Sequence, residues 1–413
     1  MHFDRILSNA GIAIVLWIPL AIAWLILVLQ IMRAEVLQLQ KFLRPLALIA
    51  LVSVTLLAIP TDILSDDAFR YRWDGWVTSH GHNPYASSPQ NHQPDLGTAW
   101  QSVAYGHMRT IYPPGAQLVF AGISLVAGTD PLLFKLGWLL LLAAMYVSLE
   151  RLLRHNIRRT VLLRAMILCP VVLLNGLMDV HVDSAMALLT AIALVFFERR
   201  QLAPSAVIIA IAVSMKFVPI VALPFLFVSL TWRQRAVYSS IVVVILGIIY
   251  APFIGPHMFD SLATFAGKWQ TNSAPYLALS HVMDDTMIRL TLAAVALISV
   301  VTIGVRYRAS PLFALSTSLT VIMLCSPVVH PWYLTLPLIL FALSPTRAVI
   351  AWGVSMIFYG MGLLTYKGDG VWIDHPIALV LEFLPVISAL AIDLRKGPLL
   401  FRYEHRSDRV ATT

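Results

Sequence analysis

The chain is expected to be all-α, a polytopic transmembrane helical bundle of about 11–13 spans interrupted by one long polar loop with an interfacial helix. Three observations predict this. Of 413 residues, 59% are hydrophobic and only 12% are charged, whereas soluble globular chains carry about 45–50% and about 25%. Mean hydropathy is +0.80, which suits lipid rather than water as the solvent. Apolar runs long enough to cross a hydrocarbon core of about 30 Å recur from end to end.

A net charge of +8 would suggest nucleic acid in a soluble protein. Here Lys and Arg fall in short turns between apolar runs, as the positive-inside rule requires, and no nucleic-acid partner is expected. Membrane lipids are the expected surroundings. Cys169 and Cys325 lie in or beside apolar segments, so neither a disulfide framework nor a metal cluster is expected. The first apolar stretch lacks a basic leader and a small-residue cleavage site, and reads as a retained helix.

In order, the apolar runs are 11–32, 45–60, 131–150, 162–177, 184–198, 236–253, 287–305, 310–326, 331–345, 348–366 and 377–393. Arginine-bearing turns mark one side: Arg199 and Arg200, Arg233 and Arg235, Arg306 and Arg308, Arg347, and the tail 395–413. These turns are expected to be cytoplasmic, which puts 255–284, 326–332 and 367–376 on the outer face. Two segments resist this bookkeeping. Residues 204–229 are too short for two spans, and a pair broken near Lys216 and Pro219 accounts for them. The run 112–128 fits only as a half-inserted or tilted element. The whole of 1–413 is read as a single domain.

The polar stretch 61–111 holds five aspartates and four of the twelve histidines, and a loop this long in a compact membrane domain is usually functional. Its densest part is SDDAFRYRWDGW, residues 65–76. Ser65 suits an N-cap with two acids in the first turn, so a short helix follows. On it Asp67, Arg70, Tyr71 and Asp74 share one face. Asp66, Phe69, Trp73 and Trp76 form a mainly aromatic stripe, expected to lie at headgroup depth. A plainer reading makes Asp67 and Arg70 a surface pair worth a few tenths of a kcal/mol. His80, His82, His92 and His107 lack tight metal-ligand spacing apart from His80-x-His82, and a solvated loop explains them.

Three polar points interrupt apolar sequence elsewhere. His181 and Asp183 stand in MDVHVD, His330 in SPVVHPWY between two prolines, and Lys216 in MKFVP. Ionisable groups at such depth default to function, because burying them costs several kcal/mol without a partner. Capping for His330, and snorkelling or a neighbouring counter-charge for Lys216, are the competing readings.

DAFRYRWDG and GHNPY, then IYPPGAQLVF, HVD, MKFVPIVALP and HPWY, in that order over residues 60–335, resemble the GT-C superfamily of membrane glycosyltransferases. The resemblance is to bacterial family 87 and related polyprenol-phosphate-mannose-dependent mannosyltransferases. It implies a catalytic acid in the first long outer loop, matching Asp67. It also implies a polyprenyl-phosphate-sugar donor, a lipid or glycan acceptor, and an outward-facing site in the bacterial inner membrane. On that reading Asp67 is the general base of an inverting hexosyl, and specifically mannosyl, transfer. Arg70, Tyr71, Asp74, His181, Asp183, Lys216, His330, Trp332 and Tyr333 bind substrate, with His330 at the donor's phosphate. With one firm base and no acid-rich box, no cofactor or metal is expected, although His181 and Asp183 leave a divalent cation open. The rival class is a transporter or flippase, which also places ionisable groups in the membrane. No internal repeat supports it.

Overall fold

The computed structural model describes residues 9–33, 41–47, 49, 65–91 and 103–399. The expected span 45–60, the middle of the polar loop including His92, and the tail from 400 onward lie outside the described residues, wholly or in large part.

In chain order the helices are α1 (Asn9–Arg33), α2 (Asp67–Ser79), α3 (Pro114–Ala127), α4 (Pro131–Leu153) and α5 (Ile157–Ile167). A π-helical stretch, Val171–Met178, leads to α6 (Val182–Glu198), α7 (Leu202–Met215), α8 (Ala222–Phe227), α9 (Trp232–Tyr250) and α10 (Asp260–Lys268). There follow α11 (Ala274–Leu279), α12 (Asp285–Arg306), α13 (Pro311–Leu324) and α14 (Thr335–Phe341). The last three are α15 (Arg347–Ser355), α16 (Tyr359–Asp369) and α17 (Pro376–Lys396). Among the described residues there is no strand, only a parallel bridge between Thr271 and Val328. The protein is an all-α polytopic bundle.

Among the described residues, five helical stretches are long and apolar enough to cross a membrane, and the bent pair Ile157–Ile167 with Val171–Met178 makes six at most. Six apolar helices are shorter, among them Pro114–Ala127, Leu202–Met215, Val218–Phe227 and Pro331–Phe341. The cause is visible in the sequence. Proline has no N–H for the helical ladder, and Pro113, Pro114, Pro219, Pro311 and Pro331 all sit at the starts of such pieces. The break expected near Lys216 is present: α7 ends at Met215, Lys216 is extended (φ −160°, ψ 139°), and a 3₁₀ turn, Val218–Val221, precedes α8.

The chain forms two compact units interleaved in sequence. The first comprises 1–50, 153–172 and 271–413. At one end of it the basic turns gather: the Tyr307 hydroxyl donates to the Leu394 carbonyl at 2.6 Å, Arg347 pairs with the Asp393 carboxylate at 2.9 Å, and Arg159 reaches the Leu343 carbonyl. Three other connectors meet through their own bonds. The Thr271 N–H donates to Pro327, that of Val329 to Thr271, and that of Asn272 to the Asp374 carboxylate. The connectors expected to share one face are therefore in contact with each other. Inside, Glu382 is fully buried and accepts from Asn272 Nδ2 at 3.1 Å and Trp352 Nε1 at 3.0 Å.

The second unit comprises 51–152 and 173–270. Its centre is α2 packed on α3, which packs in turn on α7. Gly75 permits the first crossing, since a Cβ there would lie 2.6 Å from the Phe120 carbonyl oxygen. Gly115 permits the second, where a Cβ would strike Ser214. This close approach sets how α2 packs in the protein. Its polar face, with Arg70, Tyr71 and Asp74 all buried, turns into the protein. The aromatic stripe is covered too: Trp73 is buried with Val77 and Val103, and Phe69 and Trp76 pack against them.

Candidate active site

Helix α2 begins where the Ser65 hydroxyl accepts the Asp67 N–H at 3.2 Å. That places Asp67 in the first turn, where the helix start favours a negative charge. One turn later, Tyr71 is fully buried, its ring stacked on Phe120 (4.6 Å) and met edge-on by Tyr112 (4.9 Å). Asp67 Oδ2, the Tyr71 hydroxyl and His181 Nδ1 form a triangle with edges of 3.5, 3.4 and 3.4 Å. These are long for hydrogen bonds, as is common before substrate tightens a catalytic site. His181 is fully buried, whereas the Asp67 side chain keeps 34% of its surface open.

His181 reaches this position through an unusual stretch of backbone. The π-helical turns Val171–Met178 end at Asp179, Val180 adopts φ +51°, and α6 starts at Val182. A β-branched residue in the left-handed region is strained by about 1–3 kcal/mol, and π-helical turns concentrate at functional sites. The first turn of α6 carries Asp183, buried, with both carboxylate oxygens on Lys216 Nζ at 2.7 and 2.9 Å. Lys216 comes from the extended residue that ends α7 and retains 24% exposure. Without that ammonium Asp183 would be a buried uncompensated charge, costing about 3–5 kcal/mol.

The electrostatics distinguish the carboxylates. Burial among protein atoms pushes Asp67 up from the ordinary 3.8 to about 6; a Tyr112 hydrogen bond and the charge of Lys216 oppose this, and Asp183 and Asp66 add to it. Burial also drives the Tyr71 and Tyr112 hydroxyls up, so both remain neutral donors. Asp74 is likewise raised by burial but is committed within the protein. It accepts from Thr110 Oγ1 at 2.5 Å and Gln117 Nε2 at 3.1 Å, and pairs with Arg70 Nε at 3.2 Å. Arg70 also donates to the Met108 carbonyl at 2.6 Å. Arg70 and Asp74 thus clamp α2 to the returning loop, while Asp67, Tyr71, His181, Asp183 and Lys216 come together as one constellation.

This constellation of an open carboxylate, a buried imidazole and a salt-bridged ammonium stands in a stretch where the alpha-(1->6)-mannopyranosyltransferase N-terminal domain model matches residues 4–232, more than half of the chain. The chain belongs to that family. The C-terminal domain model of the same family matches residues 264–392. No curated protein sequence matches the chain. The protein is therefore a membrane glycosyltransferase of the mannosyltransferase kind.

The remaining expected site residues of the transferase lie in the first unit. His330 Nδ1 meets the Tyr359 hydroxyl at 2.9 Å, its ring stacks on Trp332 at 4.3 Å with planes 12° apart, and Tyr333 stands edge-on at 5.5 Å. Among the described residues no three His, Cys, Asp or Glu side chains converge as a cation site needs. His181 faces Asp67 while Asp183 is held by Lys216.

Sequence reading missed Tyr112, which lies against Tyr71 and hydrogen-bonds Asp67. Its position is held through its own carbonyl, which accepts from Tyr85 Oη at 2.5 Å and Gln117 Nε2 at 3.3 Å. The GHNPY motif serves this end. Asn83 accepts the Tyr85 N–H at 2.9 Å and donates to the Phe253 carbonyl at 3.2 Å, fixing the tyrosine that holds Tyr112. A tyrosine beside two prolines in IYPPG was the available signal.

Proposed function

We propose that the protein transfers a mannosyl group, with inversion, from a polyprenyl-phosphate-mannose to a hydroxyl of a lipid-linked or glycan acceptor, on the outer face of a bacterial cytoplasmic membrane. The observation that carries this reading is Asp67: a carboxylate one-third open, raised to about 6 and surrounded by Tyr71, Tyr112 and His181. A general base works best with a pKa near the operating pH, and supplies about 10²–10⁴-fold.

The acceptor oxygen attacks C1 of the sugar from the face opposite the phosphate, and its proton passes to Asp67. The C1–O bond to phosphate breaks, and polyprenyl phosphate leaves with the electron pair. A β-linked donor then yields an α product, in agreement with the alpha linkage in the family's description. His181, 3.4 Å from Asp67, orients the carboxylate and stabilises it once protonated by accepting or sharing that proton. Charge grows on the leaving phosphate, so a cation aimed there contributes most in the transition state. Lys216 fills this role. Asp183 holds its ammonium by two oxygens and locks its position, and Lys216 is the more open of the unit's two site cations, since the Arg70 side chain is only 10% exposed. His330, Trp332 and Tyr333 bind substrate as well. No divalent cation takes part, because Lys216 supplies the positive charge.

The test uses purified protein in nanodiscs with radiolabelled polyprenyl-phosphate-mannose and a mannoside acceptor. Transfer of label to the acceptor with α configuration, inert toward nucleotide-linked mannose, is the expected result. Movement of the labelled lipid between leaflets without any transfer would overturn the reading in favour of a flippase.

A further inference from the structure

The first unit carries an array of rings and acids that the proton-transfer chemistry does not use. Three connectors build it, 271–273, 326–334 and 370–375. At its centre the Asp374 carboxylate oxygen Oδ1 accepts from Trp372 Nε1 at 2.7 Å and from the Asn272 N–H at 3.0 Å. Asn272 holds a left-handed backbone (φ +53°), which asparagine tolerates better than most residues, and its side-chain amide is anchored on buried Glu382 at 3.1 Å. The Trp372 ring lies against Gly362, where a Cβ would fall 2.4 Å from it, so no other residue at 362 allows the ring this seat. Tyr359 joins the two halves: its ring leans on Trp372 at 4.8 Å and its hydroxyl meets His330 at 2.9 Å. His330 in turn stacks flat on Trp332.

Trp332, Tyr333, Trp372 and Asp374 are each half-buried, so rings and carboxylate present part of their surface outward. Such an arrangement suits a neutral carbohydrate. A pyranose offers an apolar C–H face for a flat indole and a rim of hydroxyls for carboxylate and imidazole. Tryptophan combines a large apolar face with a fixed polar edge, and here that edge is satisfied within the protein, leaving the face for a ligand. An anionic phosphate would meet the Asp374 carboxylate, and like charge disfavours it.

We propose that this array is a subsite for the acceptor glycan, offering the rings of Trp332 and Trp372 and the carboxylate of Asp374 to mannose residues of the acceptor. The proposal deepens the transferase reading and rests on it for the identity of the sugar. It reassigns His330 from the donor's phosphate to the support of an acceptor ring.

The decisive measurement is equilibrium binding of tritiated α-1,6-mannotriose to the full-length protein in nanodiscs, without donor. Wild type should bind, whereas Trp372→Ala and Trp332→Ala should each bind about tenfold more weakly, the loss of one stacking contact. In transfer assays the same two variants should raise the acceptor KM by a similar factor and leave the donor KM within about twofold. Trp332→Phe should recover most of the binding, which loss of folding would not allow. Binding unchanged in both alanine variants, or a defect confined to the donor KM, overturns the subsite. Mannotriose binding that is lost with Trp332 and Trp372, in a protein inert toward every polyprenyl-phosphate-sugar, would keep the subsite and remove the transferase reading instead.

Discussion

Asp67→Asn should inactivate the protein and stabilise it at the same time. Burial holds the Asp67 carboxyl at about 6 rather than the ordinary 3.8. A shift of that size corresponds to about 3 kcal/mol between the two protonation states. One-third of the side chain is open to solvent, so a realistic figure is about 1–2 kcal/mol after allowing for screening. The sign follows from linkage. A carboxyl raised in the folded state binds its proton more tightly there than in the unfolded chain. Its ionisation therefore weakens the fold as pH rises from 3.8, with the full cost present above about 6. Asparagine keeps the shape and removes the charge, so at pH 7.5 the variant should melt later by about 1–3 °C, and the advantage should shrink as pH falls below 6. Turnover should drop at least about 10²-fold. Thermal unfolding in nanodiscs at pH 7.5 and pH 4.5, with radiolabelled transfer at pH 7.5, tests both halves. A variant that retains turnover within about threefold refutes the base assignment. One that melts earlier at pH 7.5 shows that the anion anchors the fold rather than waiting for a proton.

Further expectations follow from the same geometry. The rate of the wild-type transferase should fall as pH drops through about 6, because protonated Asp67 cannot accept a proton; a pH profile flat from 5 to 8 would contradict this. Lys216→Met should lose more than about 10²-fold in turnover and should also unfold more easily, since Asp183 is left buried without its cation; the double variant Lys216→Met, Asp183→Leu should recover the stability but not the rate. Gly75→Ala should cost about 1–3 kcal/mol by forcing α2 away from Phe120, measurable as a lower melting temperature. Dialysis against EDTA should leave turnover unaltered, and a loss restored by Mg²⁺ or Mn²⁺ would require a cation in the mechanism.

The membrane class, the all-helical fold and the order of the motifs were legible in the residues alone, because hydropathy and arginine placement are local properties of a chain that lipid must accommodate. The break at Lys216 was equally legible, since a lysine and a proline three residues later cannot continue an apolar span. Helix periodicity correctly put Asp67, Arg70, Tyr71 and Asp74 on one face of α2. Periodicity says nothing about what that face meets. Only the tertiary structure turned it inward, through the Gly75 crossing, and so separated an open Asp67 from an Asp74 consumed by Thr110, Gln117 and Arg70. Tyr112, joined to Asp67 across 45 residues of chain, and the Asp374–Asn272–Glu382 linkage, spanning more than a hundred, left no periodic trace in the sequence. Contacts between such distant residues depend on which connectors the helix packing brings together, and a single sequence carries no record of that choice.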